Sequence, residues 1–118
     1  MSWMETPLLQ RMERFLDMTS VRQSLVSSNI ANVDTPGYRT RDIDFEKEMQ
    51  KASAAPDAAP RPVVREVSGL IERPDGNNVS IDRETMLLAE TQLQFQMGVA
   101  LLKEEFKRLA TAITEGKS

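Results

Sequence analysis

The residues of this chain that could do chemistry are mostly carboxylates. Asp34, Asp42, Asp44, Glu46 and Glu48 fall in one short stretch, and closely spaced acidic oxygens are the raw material of calcium sites. Their spacing is not that of an EF-hand loop, and Arg39, Arg41 and Lys47 are interleaved where a cation would sit. We therefore read them as solvated or ion-paired groups. Asp75-Gly76-Asn77-Asn78 invites the same thought, but turn chemistry accounts for all four. The chain has no Cys and no His. That removes thiolate nucleophiles, imidazole bases, disulfides and the usual transition-metal ligands together, and nothing left pairs a nucleophile with a base. No enzyme, metal, cofactor or small-molecule substrate is expected. A formal net charge of −3 and a pI near 5.0 leave no basic face for nucleic acid.

The acidic stretch begins inside a sharp break in periodicity, Asn29-Ile30-Ala31-Asn32-Val33-Asp34-Thr35-Pro36-Gly37-Tyr38. Pro36 fixes its own φ and pushes Thr35 into extended geometry, and Gly37 supplies the positive φ that a type II turn needs at its third residue. Asn32 is expected to close the preceding helix in a left-handed conformation, with the Asp34 side chain bonding the turn backbone. Beyond it, Arg39, Arg41, Ile43 and Phe45 alternate with Thr40, Asp42 and Asp44, which suits an extended strap laid on another surface.

At 118 residues and 13.3 kDa the chain has room for one domain. With aromatic residues at only 5%, the core must be Leu, Ile, Val and Met, as in helical bundles. Thr6 and Pro7 start a helix running to about Asn32. Along it Leu9, Met12, Leu16, Thr19, Gln23, Val26 and Ile30 alternate at three and four, a heptad seam with two polar interruptions. Leu8, Phe15, Met18 and Leu25 widen the apolar face. Asp42 or Asp44 is expected to cap a short helix ending near Lys51. Ala52 to Pro62 is small and proline-rich and reads as a flexible linker; Val63 to Val67 and Leu70-Ile71 could form a small hairpin around Ser68-Gly69. A last helix is expected from about Ile81 to Glu115, capped by Ser80 or Asp82. On it Leu88, Gln92, Phe95, Val99, Leu102, Phe106, Leu109 and Ile113 form a second seam, widened by Met86, Leu93, Met97 and Leu101, and Glu104 is placed to pair with Arg108.

The expected fold class is mainly α: long amino- and carboxy-terminal helices forming a coiled-coil-like pair, with an irregular or small β middle. In segments, 1–35 is the first helix, 36–51 the turn and strap, 52–79 the linker with its possible hairpin and 80–118 the last helix. Apolar faces this wide, with little other core to cover them, imply burial against other subunits. The amino terminus has neither a basic region nor an apolar run of signal-peptide length, and no segment approaches the roughly 18 apolar residues of a membrane span.

The stretch Asn29 to Tyr38 followed by Arg39 closely resembles the signature of the bacterial flagellar basal-body rod, hook and hook-associated axial proteins. Arg41-Asp42-Ile43-Asp44-Phe45, and Asp75-Gly76-Asn77-Asn78-Val79 leading into a terminal helix, resemble the proximal rod members of that family. The family commonly has a second Ala where this chain has Val33. The resemblance implies a structural rod subunit that crosses the periplasm and transmits torque, with its terminal helices polymerised into the wall of a hollow shaft. It implies as partners other copies of itself, the other rod proteins, the membrane-ring protein and its small rod adapter, and export by the flagellar type III apparatus without a cleaved Sec signal. A competing reading from another class is a soluble helical adapter or chaperone holding a partner's amphipathic helix between its own two helices. That reading leaves the Asn29 to Tyr38 turn unexplained.

Overall fold

Thr6 starts the first helix as its position requires. Its hydroxyl accepts the Leu9 N–H at 3.1 Å and Pro7 occupies the first helical position. In the computed structural model, which describes residues 6–55 and 61–116, the elements in chain order are α1 (Pro7–Ala31), β1 (Arg41–Ile43), α2 (Phe45–Ala54), β2 (Val64–Glu66) and α3 (Ile81–Gly116). Asp44, one of the two expected caps, starts α2 by accepting the Lys47 N–H at 3.1 Å. Of the two candidates for α3 it is Ser80 that accepts a first-turn amide, that of Arg83 at 3.2 Å. Helix α2 runs on to Ala54, three residues past its expected end. Residues 56–60, the middle of the expected linker, lie outside the described residues.

Helix α1 does not end in a left-handed residue. Asn32 has φ −104°, and positive φ occurs only at Gly37, Gly69 and Gly76 among the described residues. Instead the Asn32 N–H shares the Ser28 and Asn29 carbonyls, and Asn32 O then accepts the Thr35 N–H at 3.0 Å. The chain leaves the helix through a tightening turn, which needs no positive φ. The next turn is as expected: Tyr38 N–H returns to Thr35 O at 3.2 Å, with Pro36 second and Gly37 third at φ +76°.

The strand β2 finds its partner in β1 rather than in Leu70-Ile71. The two run antiparallel, Arg41 opposite Glu66 and Ile43 opposite Val64. The ladder continues one step further through the Val67 N–H on Thr40 O at 2.9 Å. Chain returning from α2 thus zips onto the strap, and the strap lies on its own α1.

The molecule measures 70 × 25 × 17 Å with a radius of gyration of 18.3 Å, against about 13.5 Å for a compact domain of this length. Helices α1 and α3 run antiparallel, since Asn29 meets Glu84 while Phe15 and Leu16 meet Gly98. At 1.5 Å per residue α3 spans about 54 Å and α1 about 38 Å. The α1 seam lies where its periodicity put it: Leu9, Thr19 and Val26 are buried, and Met12, Leu16, Gln23 and Ile30 half-buried.

The side of α3 that faces α1 is offset from the expected seam. Its buried row is Glu84, Leu87, Thr91, Gly98 and Glu105. Leu88, Val99, Leu102, Leu109 and Ile113 sit beside that row, half-buried, whereas Phe95 and Phe106 are 43% and 41% exposed and Gln92 is exposed. Closeness decides the facing side. A Cβ on Gly98 would stand 2.7 Å from Leu16 Cδ2 and 3.2 Å from the Phe15 ring, so the helices cross where the sequence offers no side chain at all. Phe15 in turn packs edge-on against Phe45 at 5.4 Å between centroids, which ties the start of α2 to α1.

Candidate functional site

Asparagine side chains hold the turn. Helix α1 delivers Asn29 to the start of the strap, 1% exposed, and all four of its hydrogen-bonding positions are filled. Its Nδ2 donates to Arg41 O at 2.9 Å and to Glu84 Oε1 at 2.6 Å. Its Oδ1 accepts the Tyr38 hydroxyl at 2.9 Å and the Arg41 N–H at 3.1 Å. Toward β1 the amide does what another strand would do, bonding both backbone groups of Arg41, and so covers the strap's second edge.

The turn 73–76 locks into the first one. Gly76 N–H bonds Arg73 O at 2.9 Å, with Pro74 second and Gly76 fourth at φ +86°, as a type I turn prefers. Asn77, fully buried, donates from Nδ2 to Asn32 O and Thr35 O, both at 2.9 Å, while its Oδ1 takes the Val79 N–H at 2.8 Å. Asn78 Oδ1 takes the Thr40 N–H at 2.7 Å. Gly37 N–H bonds Asp75 O at 2.8 Å, and Arg73 donates to Val33 O. A Cβ on Gly76 would lie 3.4 Å from Gly37 Cα, so the two glycines face each other nearly in contact. Thus the Asn77 side chain, not that of the exposed Asp34, bonds the turn backbone, while Asn32 Oδ1 accepts the Thr35 hydroxyl at 3.0 Å.

Below the turn runs a charged bridge. Arg22 on α1 grips Asp42 through Nε and a terminal nitrogen at 3.2 and 3.1 Å. Arg83 on α3 reaches the same carboxylate at 2.7 Å and Glu84 at 2.6 Å. Glu84 passes the connection to Asn29. Two arginines meet two carboxylates, so the buried charges cancel and each is hydrogen-bonded, the condition under which burial of ions is tolerated. Burial alone would lower the Arg83 pKa, but the hydrogen bonds it donates to Glu84 and Asp42, and their charges, hold it above its ordinary value. Asp42 also accepts the Ile43 N–H at 2.7 Å.

Of the carboxylates considered as a cation cluster, Asp42 is therefore engaged by two arginines, and Asp44 caps α2. Glu48, fully buried, meets Arg14 at 3.6 Å and Lys51 at 3.3 Å and accepts the Val63 N–H at 3.2 Å. No grouping of acidic side chains among the described residues has metal-site geometry. Glu105, rather than Glu104, pairs with Arg108, at 2.8 Å.

The expected turn and strap residues are thus brought together, with Asn29, Tyr38, Arg39 and Asp42 bonded across elements; Arg39 reaches Glu72 at 3.3 Å. Arg41 uses only its backbone, and its side chain is exposed with no partner among the described residues. Ile43 is buried and Phe45 half-buried. The assembly-seam residues are not all brought to one face: those of α1 line the helix pair, while Phe95 and Phe106 look outward. The sequence reading missed Arg22, Glu84, Thr91 and Gly98. Thr91 and Gly98, small residues seven apart in the half of α3 that is richest in large apolar side chains, were the available signal for the close face. Arg22 and Glu84 carried none, since a charge on a helix ordinarily reads as solvated.

Comparison with known proteins points one way. A family model described as flagella basal body rod protein matches residues 16–39, the second half of α1 and the turn. Over 129 aligned positions the chain is 30% identical to the flagellar basal body rod protein FlgB of Salmonella typhimurium, covering 92% of this chain and 94% of that one. It is 32% identical to FlgB of Escherichia coli over the same span. With FlgB of Cereibacter sphaeroides the identity is 38% over 112 positions, covering 83% of this chain and 87% of the other.

Proposed function

Because the chain belongs to the family of flagellar basal body rod proteins, as a relative of FlgB, we propose that it polymerises through its terminal helices, α1 and α3 of each copy packing against helices of its neighbours. It is a structural subunit of the basal body rod. No helix among the described residues is long and apolar enough to cross a membrane.

The observation that carries the proposal is the pair of apolar stripes left on α3. With 100° per residue, Met86, Leu93, Met97 and Leu101 fall to one side of the row facing α1, and Phe95 and Phe106 to the other. Their exposures run from 41% at Phe106 to 61% at Met86. A helix with one partner in its own chain needs one apolar stripe, so the flanks answer to further helices. The Asn29 network and the charged bridge fix α1, the strap and α3 to one another, which gives every copy the same flanks to offer. The strap's contribution to a neighbour is the outward side chain of Arg41.

The remaining parts of the reading rest on the family. They are a position in the proximal, periplasm-spanning rod, contacts with the other rod proteins, the membrane ring and its adapter, export without a cleaved Sec signal, and the lack of a catalytic role. Light scattering at rising concentration, with and without the other rod proteins, tests the central point. Open-ended growth or co-assembly is expected. A single small complex of fixed size would overturn it in favour of a helix-binding adapter.

A further inference from the structure

A groove runs between the β1–β2 sheet and the first half of α3, with Phe45 and Val67 in its wall. Arg22, Arg83 and Asp42 also line it, but the charged bridge consumes them. What remains is an excess of acid: Glu46, Glu66 and Glu90 are exposed and have no ion-pair partner among the described residues, against Arg65 alone. Fixed acidic groups on a concave wall attract a cationic, partly apolar occupant.

The chain carries such a surface itself. On the second half of α3, Lys103 and Lys107 stand one turn apart, exposed and without partners among the described residues. Phe106 lies on the same side, 41% exposed, and Ala110 continues it with a small residue. Two lysines would meet the unpaired glutamates, and Phe106 would meet the exposed edges of Phe45 and Val67.

We infer that this lysine face of α3 in one copy docks into the sheet groove of the next. The groove and the lysine face lie about 20 Å apart along one straight helix, so no chain can bring its own two surfaces together. The contact is heterologous: each copy uses a different patch from its neighbour. Such contacts do not stop at a dimer but propagate as rings or open helical filaments. The inference deepens the assembly reading and rests on it, by naming which surfaces join successive copies.

Charge exchange tests it. Lys103→Glu with Lys107→Glu gives a chain whose two surfaces are both acidic, and Glu66→Lys with Glu90→Lys gives one whose surfaces are both basic. Each chain alone is expected to keep the parent circular dichroism and to lose growth in light scattering at least tenfold in concentration. An equimolar mixture is expected to regain it by alternating copies. Growth of either variant matching the parent, or a mixture that stays as inert as its parts, would overturn the docking assignment while leaving the rod reading intact. A parent that forms only a fixed small complex, alone and with the other rod proteins, removes that reading and this inference with it.

Discussion

Asn29 and Glu84 meet at 2.6 Å, the Asn29 amide donating to the Glu84 carboxylate across 55 residues of sequence, with both side chains essentially inaccessible to water. The bond joins the family-signature end of α1 to the first turn of α3, and the other hydrogen bonds of the Asn29 side chain go to the Tyr38 hydroxyl and the Arg41 backbone.

Replacing that amide should therefore be costly in a charge-dependent way. Asn29→Ala strands a buried carboxylate oxygen and both Arg41 backbone groups, a loss of about 1–3 kcal/mol. Asn29→Asp sets a second carboxylate against Glu84 and should cost more, about 3–5 kcal/mol at neutral pH. The facing charges raise the folded-state pKa of one carboxyl above its unfolded value. The penalty is thus full above that raised pKa and shrinks as pH falls through it. Urea unfolding at pH 7 and pH 5 should show Asn29→Asp recovering relative to the parent while Asn29→Ala does not.

The turn makes a different demand. At Gly37 an added Cβ would touch nothing within 4 Å, yet φ is +76°, so the cost of a side chain there is in the backbone. Gly37→Val should lose about 1–3 kcal/mol and abolish rod assembly. Gly37→Asn should retain most of both, because Asn tolerates the left-handed region. Motility of a strain carrying each variant is the readout, and a Val variant as motile as the Asn variant would show that positive φ is not what Gly37 provides.

Much of this was legible in the sequence where local rules act alone. Thr6, Asp44, Pro36 and Gly37 each solve a problem set by residues within four positions, and each behaves as its type dictates. The α1 seam was legible because an apolar stripe flanked by polar residues has one direction to face. Helix α3 is apolar around more than half of its circumference, so its pattern could not say which side belongs to α1. That choice was made by Gly98, through close approach, and by Glu84, through a hydrogen bond to a residue far away in sequence. The pairing of β2 with β1 depended likewise on how the chain returns past Glu48 to Val63.

The closeness at Gly98 can be tested directly. Gly98→Ala gains about 1 kcal/mol of helix propensity but puts a methyl 2.7 Å from Leu16 Cδ2 and 3.2 Å from the Phe15 ring. The Leu16 tip can swing away, whereas the ring sits against Phe45 and cannot move as far. A net loss of about 1–2 kcal/mol is expected, and Leu16→Ala in the same chain should restore part of it. A double-mutant cycle on thermal unfolding measures the coupling, which should exceed about 0.5 kcal/mol if these side chains share the space.

The last prediction separates folding from assembly on one helix. Leu102 and Phe95 both belong to the expected seam, but Leu102 is half-buried beside the close face while Phe95 is 43% exposed on the flank. Leu102→Glu buries an unpaired charge between α1 and α3 and should destabilise the isolated chain by more than about 2 kcal/mol. Phe95→Glu puts its charge in water and should leave unfolding within about 0.5 kcal/mol of the parent. On the proposed packing this flank is buried against a neighbouring helix, so Phe95→Glu should block growth as completely as Leu102→Glu does. Chemical denaturation of the two chains, read beside light scattering, distinguishes the routes. A Phe95→Glu chain that polymerises normally would mean that this flank stays in solvent, and that the stripe of Met86, Leu93, Met97 and Leu101 alone meets the neighbouring helix.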